Sequence, residues 1–217
     1  GDNYTVEAKV TFSAAARAGY TLTWRVTNAA GNDVTSTAGL TGNITVWAVW
    51  TAKSIIVTLN SNGADEGTAD PPSDAVYDGT MVLPIPTRAG YTFDGWYTED
   101  GTEWTAEKLL TIQNGVINAD DELTLTLTAK WSPREYSISY VLGGGANAAG
   151  NPSGYTIESD TITLGAPTRE GYTFAGWYDA EENGSLVTQI AAGSKGNITL
   201  YAAWQASSFE VDFVANG

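Results

Sequence analysis

The 217-residue chain contains no cysteine and no histidine. Without thiols there is no disulfide and no thiolate metal site, and cysteine pairing reveals nothing about redox compartment. Without imidazole, Ser-His-Asp and Cys-His catalysis and histidine metal centres are excluded. Cations are scarce as well: 10 Lys and Arg stand against 25 Asp and Glu, a formal net charge of −15. Nucleic-acid phosphates and anionic lipid both demand Lys and Arg, so no nucleic acid is expected as a partner, nor an anionic membrane surface. An acidic surface suits a solvated, self-repelling array instead. No run of about 18 apolar residues occurs, so no direct membrane insertion is expected from this segment. The chain opens on Gly1 without a signal-peptide pattern and stops partway through a motif, as a portion of a longer protein would. Missing targeting signals then carry little weight.

What the chain does contain is repetition. Gly90-Tyr91-Thr92-Phe93-Asp94-Gly95-Trp96-Tyr97 returns 81 residues later as Gly171-Tyr172-Thr173-Phe174-Ala175-Gly176-Trp177-Tyr178. A degraded copy, Gly19-Tyr20-Thr21-Leu22-Thr23-Trp24, lies upstream. A tryptophan closes a Thr/Leu/Ala-rich run at Trp50, Trp131 and Trp204. Self-similarity at a fixed period marks an array of small modules. The closing runs alternate with period two, one face reading Leu125, Leu127, Ala129, Trp131 and then Ile198, Leu200, Ala202, Trp204. That is the pattern of a strand with one face on a core. Five residues after each closing tryptophan another alternating strand starts, at Ile55, Tyr136 and Phe209.

The expected organisation is therefore a partial or divergent repeat over 1–51, complete repeats over 52–133 and 134–205, and the opening strand of a further repeat over 206–217. Gly95 and Gly176 break the alternation before Trp96 and Trp177, which predicts a bulge that turns each tryptophan inward. In the upstream copy Trp24 shares parity with Tyr20 and Leu22, so it is expected inward without a bulge. Thr105 to Leu110 is expected to form a helical turn or two, and the extra eight residues around Gln113 to Asp121 a surface loop.

Several of these motifs occur together and in order: the alternating opening strand, Asn62-Gly63 or Gly143-Gly144-Gly145, Pro-Thr-Arg-x-Gly-Tyr-Thr-Phe-x-Gly-Trp-Tyr, and Ile-Thr-Leu-Tyr-Ala-x-Trp. In this the chain resembles the Listeria–Bacteroides repeat family, which includes the B-repeats of listerial internalin. The resemblance covers nearly all of Ser54 to Gly217; upstream it starts near Arg17, and Gly1 to Ala16 depart from the pattern. It implies a mainly β (α+β) fold of tandem small β-grasp-like modules in an elongated array. It also implies an extracellular place, on a bacterial cell surface or cell wall, as a stalk or accessory adhesive segment without enzymatic activity.

The candidate sites are few. Recurring aromatics in a small module are core residues before they are ligand sites, which assigns Tyr91, Phe93, Trp96, Trp131, Tyr172, Phe174, Trp177 and Trp204 to the structural core. Trp47 and Tyr201 fall on the parity opposite that core, and Trp104 occurs in the middle repeat alone. These three are the candidate ligand or partner surface, whether for a host or cell-surface glycan or glycoprotein or for neighbouring repeats of the same chain. Acidic pairs such as Asp65-Glu66, Glu99-Asp100, Asp120-Asp121 and Glu181-Glu182 fall in turns of modules too small for a deep catalytic cleft. No calcium-loop signature accompanies them, and no cofactor is expected. Arg17, Arg88 and Arg169 recur two or three positions before Gly-Tyr, as structural ion-pair or ring-stacking residues would.

Overall fold

The computed structural model of the protein describes residues 13–28, 30–34, 42–67, 69–119 and 122–213. Asp120 and Asp121, and Val214 to Gly217 of the expected last strand, lie outside these. Strands are nearly all of the regular secondary structure among the described residues, and the chain divides into two compact units, Gly1–Pro86 with Gly95–Lys130, and Thr87–Asp94 with Trp131–Gly217.

The first unit begins with a three-stranded antiparallel sheet of β1 (Tyr20–Thr27), β2 (Asp33–Val34) and β3 (Thr45–Ala52), in the order β2-β1-β3. Threonine, valine and aromatic residues fill these strands, as a pleated half-buried surface favours. There follow β4 (Ile56–Asn60), β5 (Tyr91–Tyr97), β6 (Glu103–Trp104), β7 (Ile117–Ala119) and β8 (Glu122–Pro133). Their sheet has the order β4-β8-β5-β6, with β7 also paired to β8. The opening strand β4 runs parallel to the closing strand β8, from Ile56 opposite Thr124 to Asn60 opposite Thr128. The alternation expected of β8 is complete: Leu123, Leu125, Leu127 and Ala129 are at most 2% exposed. Val57, Met81, Trp96 and Leu110 are buried in the same unit.

The second unit repeats the plan with β9 (Tyr136–Val141), β10 (Gly154–Tyr155), β11 (Ile162–Thr163), β12 (Tyr172–Tyr178), β13 (Leu186–Val187), β14 (Gln189–Ile190) and β15 (Ile198–Ala206). The main sheet has the order β10-β9-β15-β12-β13, and β11 pairs with β14. Again the opening strand β9 lies parallel to the closing strand β15. Ile138, Tyr155, Trp177, Ile190 and Leu200 form the core, with Phe174 and Tyr140 packed against it. The register between β12 and β15 slips by one residue between Phe174 and Gly176, which is the bulge expected at Gly176. There φ is 142° and a Cβ would meet the Leu186 side chain at 2.5 Å. The bulge lets the Trp177 indole N–H reach the Gly165 carbonyl at 3.0 Å, as the Trp96 N–H reaches Pro84 at 2.9 Å.

Some expectations change. Thr105 to Leu110 forms a single turn, Lys108 N–H to the Thr105 carbonyl at 3.1 Å, and the one short helix of this region is a 3-10 turn at Ile112–Asn114. Around it the insertion is more than a surface loop, since Val116 is 2% exposed and β7 adds to the sheet. Trp24, expected inward, is 36% exposed. Residues 207–213 adopt no strand, and Phe209, Val211 and Phe213 are exposed. The opening strands β4 and β9 each pair with the closing strand that follows them, and 207–213 has no such partner among the described residues.

Candidate functional site

Trp47 stands on β3 directly opposite Arg25 of β1 and is 54% exposed. The Arg25 side chain is held by Asp33, Nε to Oδ1 at 2.6 Å. The turn after β1 is tied down by Asn28, whose side-chain oxygen accepts from the backbone N–H of Ala30 and Asn32, each at 3.0 Å. Together Arg25, Asn28, Asn43, Thr45 and Trp47 border a shallow hollow of about 550 Å³.

Tyr201 occupies the position in the third repeat that corresponds to Trp47. It lies on β15 opposite Tyr178 of β12, and both rings are half-buried. They line a cleft of about 380 Å³ with Val141, Glu181, Asn183 and Ala203. The middle repeat fills the same place differently. Thr128 replaces Tyr201, and Lys130, in the place of Ala203, lays its ammonium 3.8 Å from the centre of the Tyr97 ring. In the third repeat Ala203 takes that place, and among the described residues no cation lies over Tyr178. The sequence reading missed Tyr178 as a cleft wall, although the Lys130-to-Ala203 exchange was the signal for it.

Trp104 is not a surface residue. It is 4% exposed, on the short strand β6 and opposite Trp96. The Thr98–Thr102 turn sets this register: Thr98 Oγ1 donates to Asp100 at 2.5 Å, and Thr102 N–H to the same carboxylate at 3.0 Å. Those bonds, the Thr98 hydroxyl first, hold the Asp100 carboxyl below the usual carboxylate range. Glu103 therefore faces out and Trp104 in.

Of the residues assigned to the core, Trp96 and Trp177 are 3% and 2% exposed. Tyr91, Phe93, Trp131, Phe174 and Trp204 are half-buried, the Phe93 ring meeting Trp131 and the Phe174 ring meeting both Trp177 and Trp204 edge-on. Tyr172 is corrected: it is 40% exposed, at the start of β12 and away from the core cluster. Among the described residues no group of three or more Asp or Glu is arranged to hold a metal ion. No described helix is long and apolar enough to cross a membrane.

A chain of this kind, in which the same bulged aromatic strand and parallel opening and closing strands return on a fixed spacing, is a tandem β-repeat protein. It belongs to the Listeria–Bacteroides repeat family, whose model matches residues 56–119 and 136–203. A protein of Evansella cellulosilytica provisionally described as a membrane protein is 31% identical over 186 residues, covering 82% of this chain and 25% of that protein. A Gly-rich protein of the same organism, described in the same provisional way, is 28% identical over 80% of this chain and 19% of its own length. Internalin H of Listeria monocytogenes is 36% identical over 121 residues, 54% of this chain and 20% of the internalin. The chain thus spans a quarter or less of each of these relatives.

Proposed function

We propose that the chain is a non-catalytic repeat segment of a bacterial cell-surface or secreted protein, acting as a spacer and in adhesion. The observation that carries this reading is one module built twice on the same core from family-matched sequence, in a chain without His or Cys. On this reading 52–133 and 134–205 are the complete repeats, flanked by 1–51 and 206–217, and successive repeats extend in a line. The parallel opening and closing strands beside an antiparallel neighbour support a β-grasp-like module. Small-angle scattering tests the array, with an elongated profile expected and a compact one against it. Beads coated with the chain should adhere to host cells above uncoated beads, and equal adhesion overturns the adhesive role.

A second reading is favoured by the Tyr178–Tyr201 cleft, where two rings and the polar Glu181 and Asn183 offer the stacking surface and hydrogen bonds that a sugar takes. On a glycan array, Tyr201→Thr should remove signal that Trp47→Thr leaves in place. No signal from the parent chain rejects this reading and leaves the spacer reading standing.

A further inference from the structure

One set of contacts recurs outside the repeat cores. In the first unit, Arg17 lies 3.7 Å over the Tyr20 ring, Tyr20 donates its hydroxyl hydrogen to Asp78, and the Gly19 carbonyl accepts from Lys53 N–H at 2.9 Å. The Tyr77 ring packs on Gly19 so closely that a Cβ there would overlap it. In the second unit the set returns. Arg88 lies 3.8 Å over Tyr91, Tyr91 donates to Glu158 at 3.0 Å, and the Gly90 carbonyl accepts from Arg134 N–H at 2.9 Å. Ile157 packs on Gly90, where a Cβ would meet its Cδ1 at 2.6 Å. Measured along the repeat, Tyr77-Asp78 and Ile157-Glu158 hold the same place, one and two residues after the edge residues Val76 and Thr156.

The third copy has the donor half alone. Arg169 lies 3.7 Å over Tyr172, and the Gly171 carbonyl accepts from Ser207 N–H at 2.9 Å. Among the described residues nothing approaches within 4 Å of a Cβ placed on Gly171, although its φ of 77° is close to the 80° of Gly19 and 87° of Gly90. Tyr172 is 40% exposed, and no carboxylate among the described residues accepts from it.

We propose that Arg-x-Gly-Tyr is a latch by which each repeat clasps the following one, and that Arg169, Gly171 and Tyr172 form a docking face for a further repeat entering at Ser207. That repeat must offer an apolar side chain to cover Gly171 and, next to it, an Asp or Glu to accept from Tyr172. Phe209, Val211 and Phe213, exposed and spaced as Tyr136, Ile138 and Tyr140 are, begin the pattern such a repeat requires. The inference rests on the occupied joints at Tyr20 and Tyr91 and not on an adhesive role.

The test extends the full chain through Ser207 with a second copy of residues 135–206, which brings its own Ile157 and Glu158 to the face. Nitration of Tyr172 should slow several-fold in the extended chain. Gly171→Ala, which carries the same backbone strain in both chains, should lower the melting temperature further in the extended one, where the added Cβ meets the docked side chain. Equal nitration and equal Gly171→Ala effects in the two chains overturn the docking face. So does protection of Tyr172 that grows with concentration of the parent chain, since its occupant is then a second copy. In the parent chain, a Tyr91→Phe and Glu158→Gln cycle should show coupling on the order of two- to fivefold in the unfolding equilibrium. Absence of coupling overturns the latch.

Discussion

Trp96 and Trp104 face one another across a two-strand register, yet their polar atoms fare differently. The Trp96 N–H is bonded to Pro84, whereas the buried Trp104 N–H meets no acceptor among the described residues. An unmet buried donor costs about 1–3 kcal/mol. Trp104→Phe deletes that donor while keeping a ring in the core, so it should lose far less stability than Trp104→Ala, whose cavity should cost about 3–5 kcal/mol. Urea unfolding of the two variants measures this, and a Trp104→Ala chain as stable as its parent would contradict the burial. The recurrence of Trp96 at Trp177 made its role legible in the sequence. Trp104 has no tryptophan counterpart, so its direction depended on turn geometry, namely the Asp100 carboxylate that closes Thr98–Thr102 and sends the next-but-one residue inward.

At the scale of elements, the closing strand and the bulge decide each module. In β8 a strict alternation of leucine and threonine needs no tertiary help to choose its face, because a one-residue slip would expose every leucine. In β12 the face changes at Gly176, and the change is possible only with a residue lacking Cβ at φ 142°. Gly176→Ala should cost roughly 1–3 kcal/mol from backbone strain, with the Leu186 contact adding to it. The same substitution at Gly171, where no described residue comes within 4 Å of an added Cβ, should cost the parent chain less. Denaturant midpoints of the two variants provide the comparison, and equal losses would refute the packing role of the bulge. Short strands such as β6, β7 and β14 were not legible, since two or three residues carry no periodicity and form by pairing with a strand already in place.

For the whole molecule the governing quantity is charge. A net −15 makes the folded chain repel itself, so added salt should raise the melting temperature through screening. The pH profile has two edges. The Tyr20 and Tyr91 phenols are raised above their ordinary 10.0, chiefly because each donates to a carboxylate, Asp78 and Glu158. Their contribution is complete below pH 10 and is lost as pH rises through the folded values. Asp100 is lowered below its ordinary 3.8 by the Thr98 hydroxyl, so its contribution is present above that pH and lost as pH falls through the folded value. Melting temperature should accordingly be level between these edges and fall outside them. Burial raises the Tyr140 and Tyr155 phenols as well. Replacing Tyr20 and Tyr91 by phenylalanine should therefore make the alkaline edge shallower without abolishing it. An unchanged slope would show that the two phenol bonds do not stabilise the fold.

The sequence by itself determined the repeat, its spacing, the inward face of the closing strands β8 and β15 and the bulge before Trp177, because each is a local pattern repeated with the same parity. Only the tertiary structure decided that Trp104 is buried, that the insertion adds Val116 to the core, and that Tyr178 and Tyr201 share a cleft. It also decided that Tyr172 lies open where Tyr20 and Tyr91 are clasped. Burial of these residues depends on what another segment places over them, and nothing in the residue's own strand encodes that neighbour.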